Sequence, residues 1–281
     1  MSELQLKDQY IQVGNIRTRY WALGEGKSTV ILIHGFVGYI EFWEDNITAL
    51  AQVRKVFALD LPGCGRSDKP QARFSAPYFA DFIKDFMITQ DVDKATLIGL
   101  SMGGSIVLQF ALKYPHQVEK MVLVDGGGLG KEVSIASRLG TLPILGELLS
   151  RPSRQGSAQV FKQIFYNQDL ITDQMIEEGF EMASLPGAQR CGLSTLRTSC
   201  NFWGVKGNAL RPIRDHLEEI EVPTLVIWGA QDRILPVAHA NLAAKRLPNA
   251  RLHIFDPCGH MPNIERAQEF NALVIDFLSN G

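Results

Sequence analysis

Residues 95–104 read Ala95-Thr96-Leu97-Ile98-Gly99-Leu100-Ser101-Met102-Gly103-Gly104, and the fold can be worked outward from them. Ala95 to Ile98 is a short apolar run of strand type. Beyond the glycines, Ile106, Val107, Phe110, Ala111 and Tyr114 recur at one-turn spacing, which predicts a helix over Met102 to Lys113 with one apolar face. Between strand and helix stands Gly99-x-Ser101-x-Gly103. The bare pattern is short, but strand before and helix after make it a nucleophile elbow. Such a turn is so tight that its flanking side chains must be small, and the serine hydroxyl stands clear of the sheet at a helix N-terminus.

The same alternation continues on both sides. Tyr10 to Val13 and Arg17 to Ala22, broken at Gly14-Asn15, predict a hairpin. Thr29 to Ile33, Val53 to Leu59, Val118 to Val124, Thr224 to Trp228 and Arg251 to Phe255 are short apolar runs that suit strands buried on both faces. Helical patterns cover Phe42 to Ala51, Ala76 to Thr89, Val237 to Arg246 and Ala267 to Leu278. The class is therefore α/β: a mostly parallel central sheet of about eight strands flanked by helices. From Gly126 to Glu218 the rhythm changes to helical patterns without a convincing strand, punctuated by Pro143, Pro152, Pro186-Gly187, Gly204 and Pro212. The simplest topology makes 1–125 and 219–281 the core domain and inserts 126–218 as a helical lid.

Length and composition bound the function. The 281 residues are 46% hydrophobic and 21% charged, which are values of a folded globular chain. With 28 Lys+Arg against 30 Asp+Glu the net charge is −2, so no field invites nucleic acid. Met1 to Tyr10 lacks the basic, apolar and small-residue order of a signal peptide, and no apolar run is long enough to span a bilayer. The expected compartment is the cytoplasm. Cys64, Cys191, Cys200 and Cys258 show no CxxC spacing and read as reduced thiols, a Cys191–Cys200 bridge staying open for an oxidising compartment.

A serine hydroxyl attacks carbonyls only with a base at hand, usually an imidazole held by a carboxylate. Of six histidines, His116 follows Tyr114-Pro115 at a helix end, His216 and His239 fall in helical patterns and His253 in a strand pattern. His260 instead lies in the loop Asp256-Pro257-Cys258-Gly259-His260, directly after a strand. Asp232, in Gly229-Ala230-Gln231-Asp232, leaves the preceding strand, which gives the chain order Ser101, Asp232, His260. Asp125 competes as the acid because it ends the strand Val118 to Val124, but the Gly-x-x-Asp loop favours Asp232 and leaves Asp125 as a cap on the strand end. The developing oxyanion needs two fixed donors. Met102 N–H supplies one, and Phe36 N–H in His34-Gly35-Phe36-Val37-Gly38 is the best candidate for the other. His34 reads as a residue that fixes this loop by hydrogen bonding.

These segments resemble the α/β-hydrolase fold superfamily over nearly the whole chain. The likeness lies in His34-Gly35-Phe36, Asp60 to Ser67, the elbow, Gly229 to Asp232 and Gly259-His260. It implies that Asp60 to Ser67 is structural and that the insertion is a cap domain. Haloalkane dehalogenases and epoxide hydrolases carry a carboxylate where Ser101 stands, so likeness to them concerns the fold. Meta-cleavage-product hydrolases share Ser101-Met102-Gly103-Gly104 and a similar lid. They usually carry Gly-Pro-Gly and Trp where Phe36-Val37-Gly38 and Met261 stand, and their likeness implies Arg190 as a substrate-carboxylate anchor. The menaquinone-pathway lyase of this fold usually has Arg where Gly104-Ser105 stand. Some members keep the triad yet act as small-molecule receptors. Phe161, Phe165, Tyr166, Phe180, Phe202 and Trp203 of the lid either line an acyl pocket or pack its helices. The sequence thus leads to a carboxylesterase acting on small or medium acyl esters, with C–C hydrolysis, lactone hydrolysis and a receptor role as alternatives. Neither metal nor organic cofactor is called for.

Overall fold

The turn at Gly14 (φ 58°) folds Gln9–Val13 (β1) against Ile16–Leu23 (β2), as its Gly-Asn pair predicts. The other sheet strands are Thr29–Ile33 (β3), Lys55–Leu59 (β4), Ala95–Leu100 (β5), Val118–Val124 (β6), Thr224–Gly229 (β9) and Ala250–Phe255 (β10). Cys200–Asn201 (β7) and Gly204–Val205 (β8) form a separate ribbon. The eight-stranded sheet has the order β1-β2-β4-β3-β5-β6-β9-β10, antiparallel at β1–β2 and β2–β4 and parallel elsewhere. The computed structural model describes residues 6–280, so the first five residues of the N-terminal reading lie outside the described residues. No helix among the described residues is long and apolar enough to cross a membrane.

Alternate side chains of the central strands enter opposite cores. Ile31, Ile33, Leu97, Leu123 and Val226 pack with the helices Ala76–Thr89, Met102–Lys113 and Ala238–Arg246. Val30, Leu32, Ile98, Val122 and Ile227 pack with Glu44–Leu50 and Ala267–Ser279. At about 1.5–3 kcal/mol for each large side chain buried, these two layers dominate the favourable side of folding. Every parallel strand ends at the same edge, where the loops after β3, β5, β6, β9 and β10 gather.

Two expectations need correction. The run Arg251 to Phe255 is not buried on both faces: β10 is an edge strand, and Leu252 and Ile254 are 37% and 38% exposed. Nothing in an apolar run distinguishes a sheet's centre from its edge. Between β6 and β9 the chain does contain strand, the β7–β8 ribbon, closed when Trp203 N–H donates to Asn201 Oδ1 at 2.9 Å with Gly204 at φ 110°. The remainder is helical: Ile135–Gly140, Leu145–Leu149, Arg154–Ile164, Asp173–Ser184, Ala188–Ser199 and Gly207–Arg214. Ser134, Ser153 and Thr172 cap three of these helices, each accepting a backbone N–H three residues on. All four cysteines are free.

Candidate active site

One residue, Ser101, separates β5 from its helix, at φ 53° and ψ −116°. That strained conformation is over-determined by the backbone around it. Ser101 N–H donates to Val124 O at 2.8 Å, and Ser101 O accepts from Gly104 N–H at 2.9 Å and Gly127 N–H at 2.7 Å. A Cβ on Gly99 would lie 2.3 Å from Gly103 O, and one on Gly103 would lie 2.3 Å from Ile33 O. The corner therefore closes only with glycine on both flanks. The Ser101 side chain is partly exposed, and its hydroxyl makes no hydrogen bond to the described residues, His260 included.

The loop after β3 lies directly against this corner. A Cβ on Gly35 would sit 3.0 Å from Ser101 Cβ and 3.6 Å from its Oγ. Gly38 N–H donates to Gly35 O at 3.1 Å, with Val37 at φ 53°. His34, fully buried, fixes this turn. Leu61 N–H donates to His34 Nε2 at 3.0 Å, so Nδ1 carries the proton and donates to Gly35 O at 2.8 Å. Burial lowers the imidazole pKa to about 4 and keeps it neutral. The backbone N–H groups of Phe36 and Met102 have no acceptor among the described residues. Met102 opens a helix, where such donors lack intrahelical partners.

The loops after β9 and β10 bring Asp232 and His260 together: His260 Nδ1 and Asp232 Oδ2 are 2.7 Å apart, with the imidazole 5% and the carboxylate 0% exposed. The other carboxylate oxygen of Asp232 accepts Ile234 N–H at 2.7 Å and Leu235 N–H at 3.0 Å. Burial alone would raise Asp232, but the imidazole and the surrounding hydrogen bonds outweigh it and hold the carboxyl below its usual range. Gln231 ties the two loops, since its N–H donates to Cys258 O at 2.9 Å and its Oε1 accepts Cys258 N–H at 2.8 Å.

Asp125 ends β6 at φ 45°, wholly buried, and its Oδ1 accepts Gly229 N–H at 3.0 Å. Burial and the adjacent Asp232 carboxylate push its pKa well up, and its Oδ2 is buried with no hydrogen-bond partner among the described residues. Among the described residues, Asp125, Asp232 and His260 are the group whose ligand atoms, all within 4.8 Å, could surround a metal ion.

Other sequence candidates lie elsewhere. His239 meets Glu132 at 3.0 Å and His216 meets Glu219 at 2.7 Å. Arg190 donates from Nη2 to Lys69 O at 2.7 Å and from Nη1 to Pro70 O at 3.2 Å, so both groups that would grip a substrate carboxylate are held by backbone. Phe161 and Phe165 are buried in the apolar cluster that includes Met261, whereas Phe202 and Trp203 are 44% and 72% exposed and pack edge-to-face on each other. Asp60 is structural: its carboxylate accepts Ile40 N–H at 2.8 Å and Arg66 N–H at 2.7 Å. Sequence reasoning missed Glu265, whose carboxylate accepts Gly259 N–H beside the imidazole. Its only signal was an acid one turn beyond His260.

A mostly parallel sheet with helices on both faces, a strained serine corner and a buried Asp–His pair at one edge define an α/β hydrolase. The chain belongs to the alpha/beta hydrolase fold family, whose pattern matches residues 28–267, and it is a hydrolase. It is similar to a 2-hydroxy-6-oxononadienedioate/2-hydroxy-6-oxononatrienedioate hydrolase of Comamonas testosteroni, 30% identical over 276 residues, 96% of this chain and 93% of that one. The dihydrolipoyllysine-residue acetyltransferase component of the acetoin cleaving system of Cupriavidus necator is 34% identical over 266 residues, 95% of this chain and 67% of that one. The solved meta-cleavage product hydrolase of Pseudomonas fluorescens superposes with a TM-score of 0.82 at 26% identity, covering 99% of each chain.

Proposed function

We propose that the chain is a serine hydrolase of small or medium acyl esters, with Ser101 as nucleophile, His260 as general base and Asp232 as the acid that orients it. The observation that carries this reading is the pair of unclaimed N–H donors, Phe36 and Met102, beside a serine whose corner admits no other geometry. His260 takes the Ser101 proton as Oγ attacks the carbonyl carbon, and the two N–H groups receive the oxyanion. Collapse of the tetrahedral intermediate breaks the C–O bond to the alcohol, which leaves with the proton from His260. Water, deprotonated by the same imidazole, then attacks the acyl-enzyme and releases the acid and Ser101. Asp232, ionised, holds Nδ1–H and stabilises the imidazolium. Residues 126–218 serve as the cap over this edge, with Phe161 and Phe165 packing it onto the core.

C–C hydrolysis is the second reading, favoured by the Comamonas relative that spans nearly the whole chain. Against it stands Arg190, whose Nη groups are engaged by Lys69 and Pro70. A panel of p-nitrophenyl esters, lactones and a dienone C–C substrate decides. The ester reading expects the highest kcat/KM on a short-chain ester. Preference for the dienone overturns it in favour of C–C cleavage.

A further inference from the structure

We propose that Glu265 is the joint that seats the His260 loop against residues 164–167, and so acts as a positioning residue for the base. This rests on the reading of His260 given above. Glu265 closes the short helix Pro262–Glu265, and its two carboxylate oxygens divide between two distant segments. Oε1 accepts Gly259 N–H at 2.8 Å, while Oε2 accepts Tyr166 N–H at 2.9 Å and Asn167 N–H at 2.8 Å. Beside this clamp, His260 N–H donates to Ile164 O at 2.7 Å. The two segments touch backbone to backbone. A Cβ on Gly259 would lie 2.6 Å from Tyr166 N and 2.7 Å from Ile164 O.

Only a carboxylate satisfies this geometry, because both ends must accept. Arg266, the next residue, is turned away onto Glu269 at 2.8 Å, so the Glu265 charge is met by three backbone donors rather than by a cation. Gln at this position has nearly the same shape but must turn an NH₂ group toward Gly259 N–H or toward the Tyr166 and Asn167 pair. Either choice sets donor against donor and loosens one side of the joint. The imidazole then loses its fixed place relative to Ser101, although the Asp232 hydrogen bond can persist.

The test compares wild type, Glu265→Gln, Glu265→Asp, His260→Ala and Ser101→Ala. Readouts are kcat and KM on p-nitrophenyl acetate, the rate of labelling by a fluorophosphonate, and thermal melting. Glu265→Gln is expected to lower kcat and labelling together by about 10- to 100-fold with KM little changed. Glu265→Asp, which keeps the charge but shortens the reach, is expected to fall between Gln and wild type, and it carries the test if the Gln variant does not fold. Wild-type labelling per folded molecule in the Glu265 variants, with only melting affected, makes the residue merely structural and overturns the proposal. His260→Ala separates the two readings: labelling at the wild-type rate there removes the triad itself, whereas its loss there beside unchanged labelling in Glu265→Gln removes only the joint.

Discussion

His260 meets Asp232 at 2.7 Å, and a second carboxyl, Asp125, is buried within the same 4.8 Å group. The imidazole and hydrogen bonds hold the Asp232 carboxyl below its usual range, while burial and the adjacent Asp232 carboxylate push Asp125 well up. Asp232→Asn, which favours the wrong imidazole tautomer, is expected to lower kcat by about 10⁴. Asp125→Asn retains an acceptor for Gly229 N–H, and most activity is expected to survive. Asp125 also predicts a pH dependence of stability. Its native pKa lies above the unfolded value of 3.8, so the native state holds a proton that the unfolded chain releases. Stability due to Asp125 therefore falls as pH rises from the unfolded toward the native value. Asp125→Asn abolishes that slope, and its melting temperature is expected to decline less than that of wild type as pH rises above the unfolded value of 3.8. An unchanged slope contradicts the protonated assignment. Both acids were legible in the sequence as strand-end residues, and the Gly-x-x-Asp loop favoured Asp232. That the two carboxyls share one site was not legible, because it follows from β6 and β9 being neighbours in space.

The elbow was legible as an element because its chemistry and its backbone make the same demand. Gly99 and Gly103 are needed where Cβ atoms would strike carbonyl oxygens at 2.3 Å, and Ser101 is needed where the strain is held. Gly99→Ala is expected to destabilise the chain by about 3 kcal/mol or more, read as a lower urea midpoint, since the obstruction is backbone that cannot swing aside. A wild-type midpoint contradicts the packing described for the corner. Other elements were less legible. The β10 run reads as apolar whether central or at the edge, and β7 and β8, at two residues each, are too short to carry a period. The Glu265 clamp joins segments about 100 residues apart, with backbone donors that no side-chain pattern announces.

At the scale of the molecule, strand–helix alternation placed Ser101, Asp232 and His260 at one edge of the sheet, because parallel strands all end there. The architecture was therefore readable from periodicity. What the enzyme accepts was not, because on the proposed reading selectivity belongs to residues 126–218 as the cap over that edge. There Phe161 and Phe165 turn into the core, Trp203 turns to solvent and Arg190 binds backbone, choices fixed only by packing. The central claim is that three distant side chains act as one unit on a carbonyl or phosphoryl centre. Its most direct test is peptide mass mapping after reaction with a fluorophosphonate, applied to wild type, Ser101→Ala and His260→Ala. The account expects a single adduct on the peptide holding Ser101, none in Ser101→Ala, and labelling slowed by at least about 10³ in His260→Ala. An adduct on another residue of wild type, or undiminished labelling of Ser101→Ala, contradicts it.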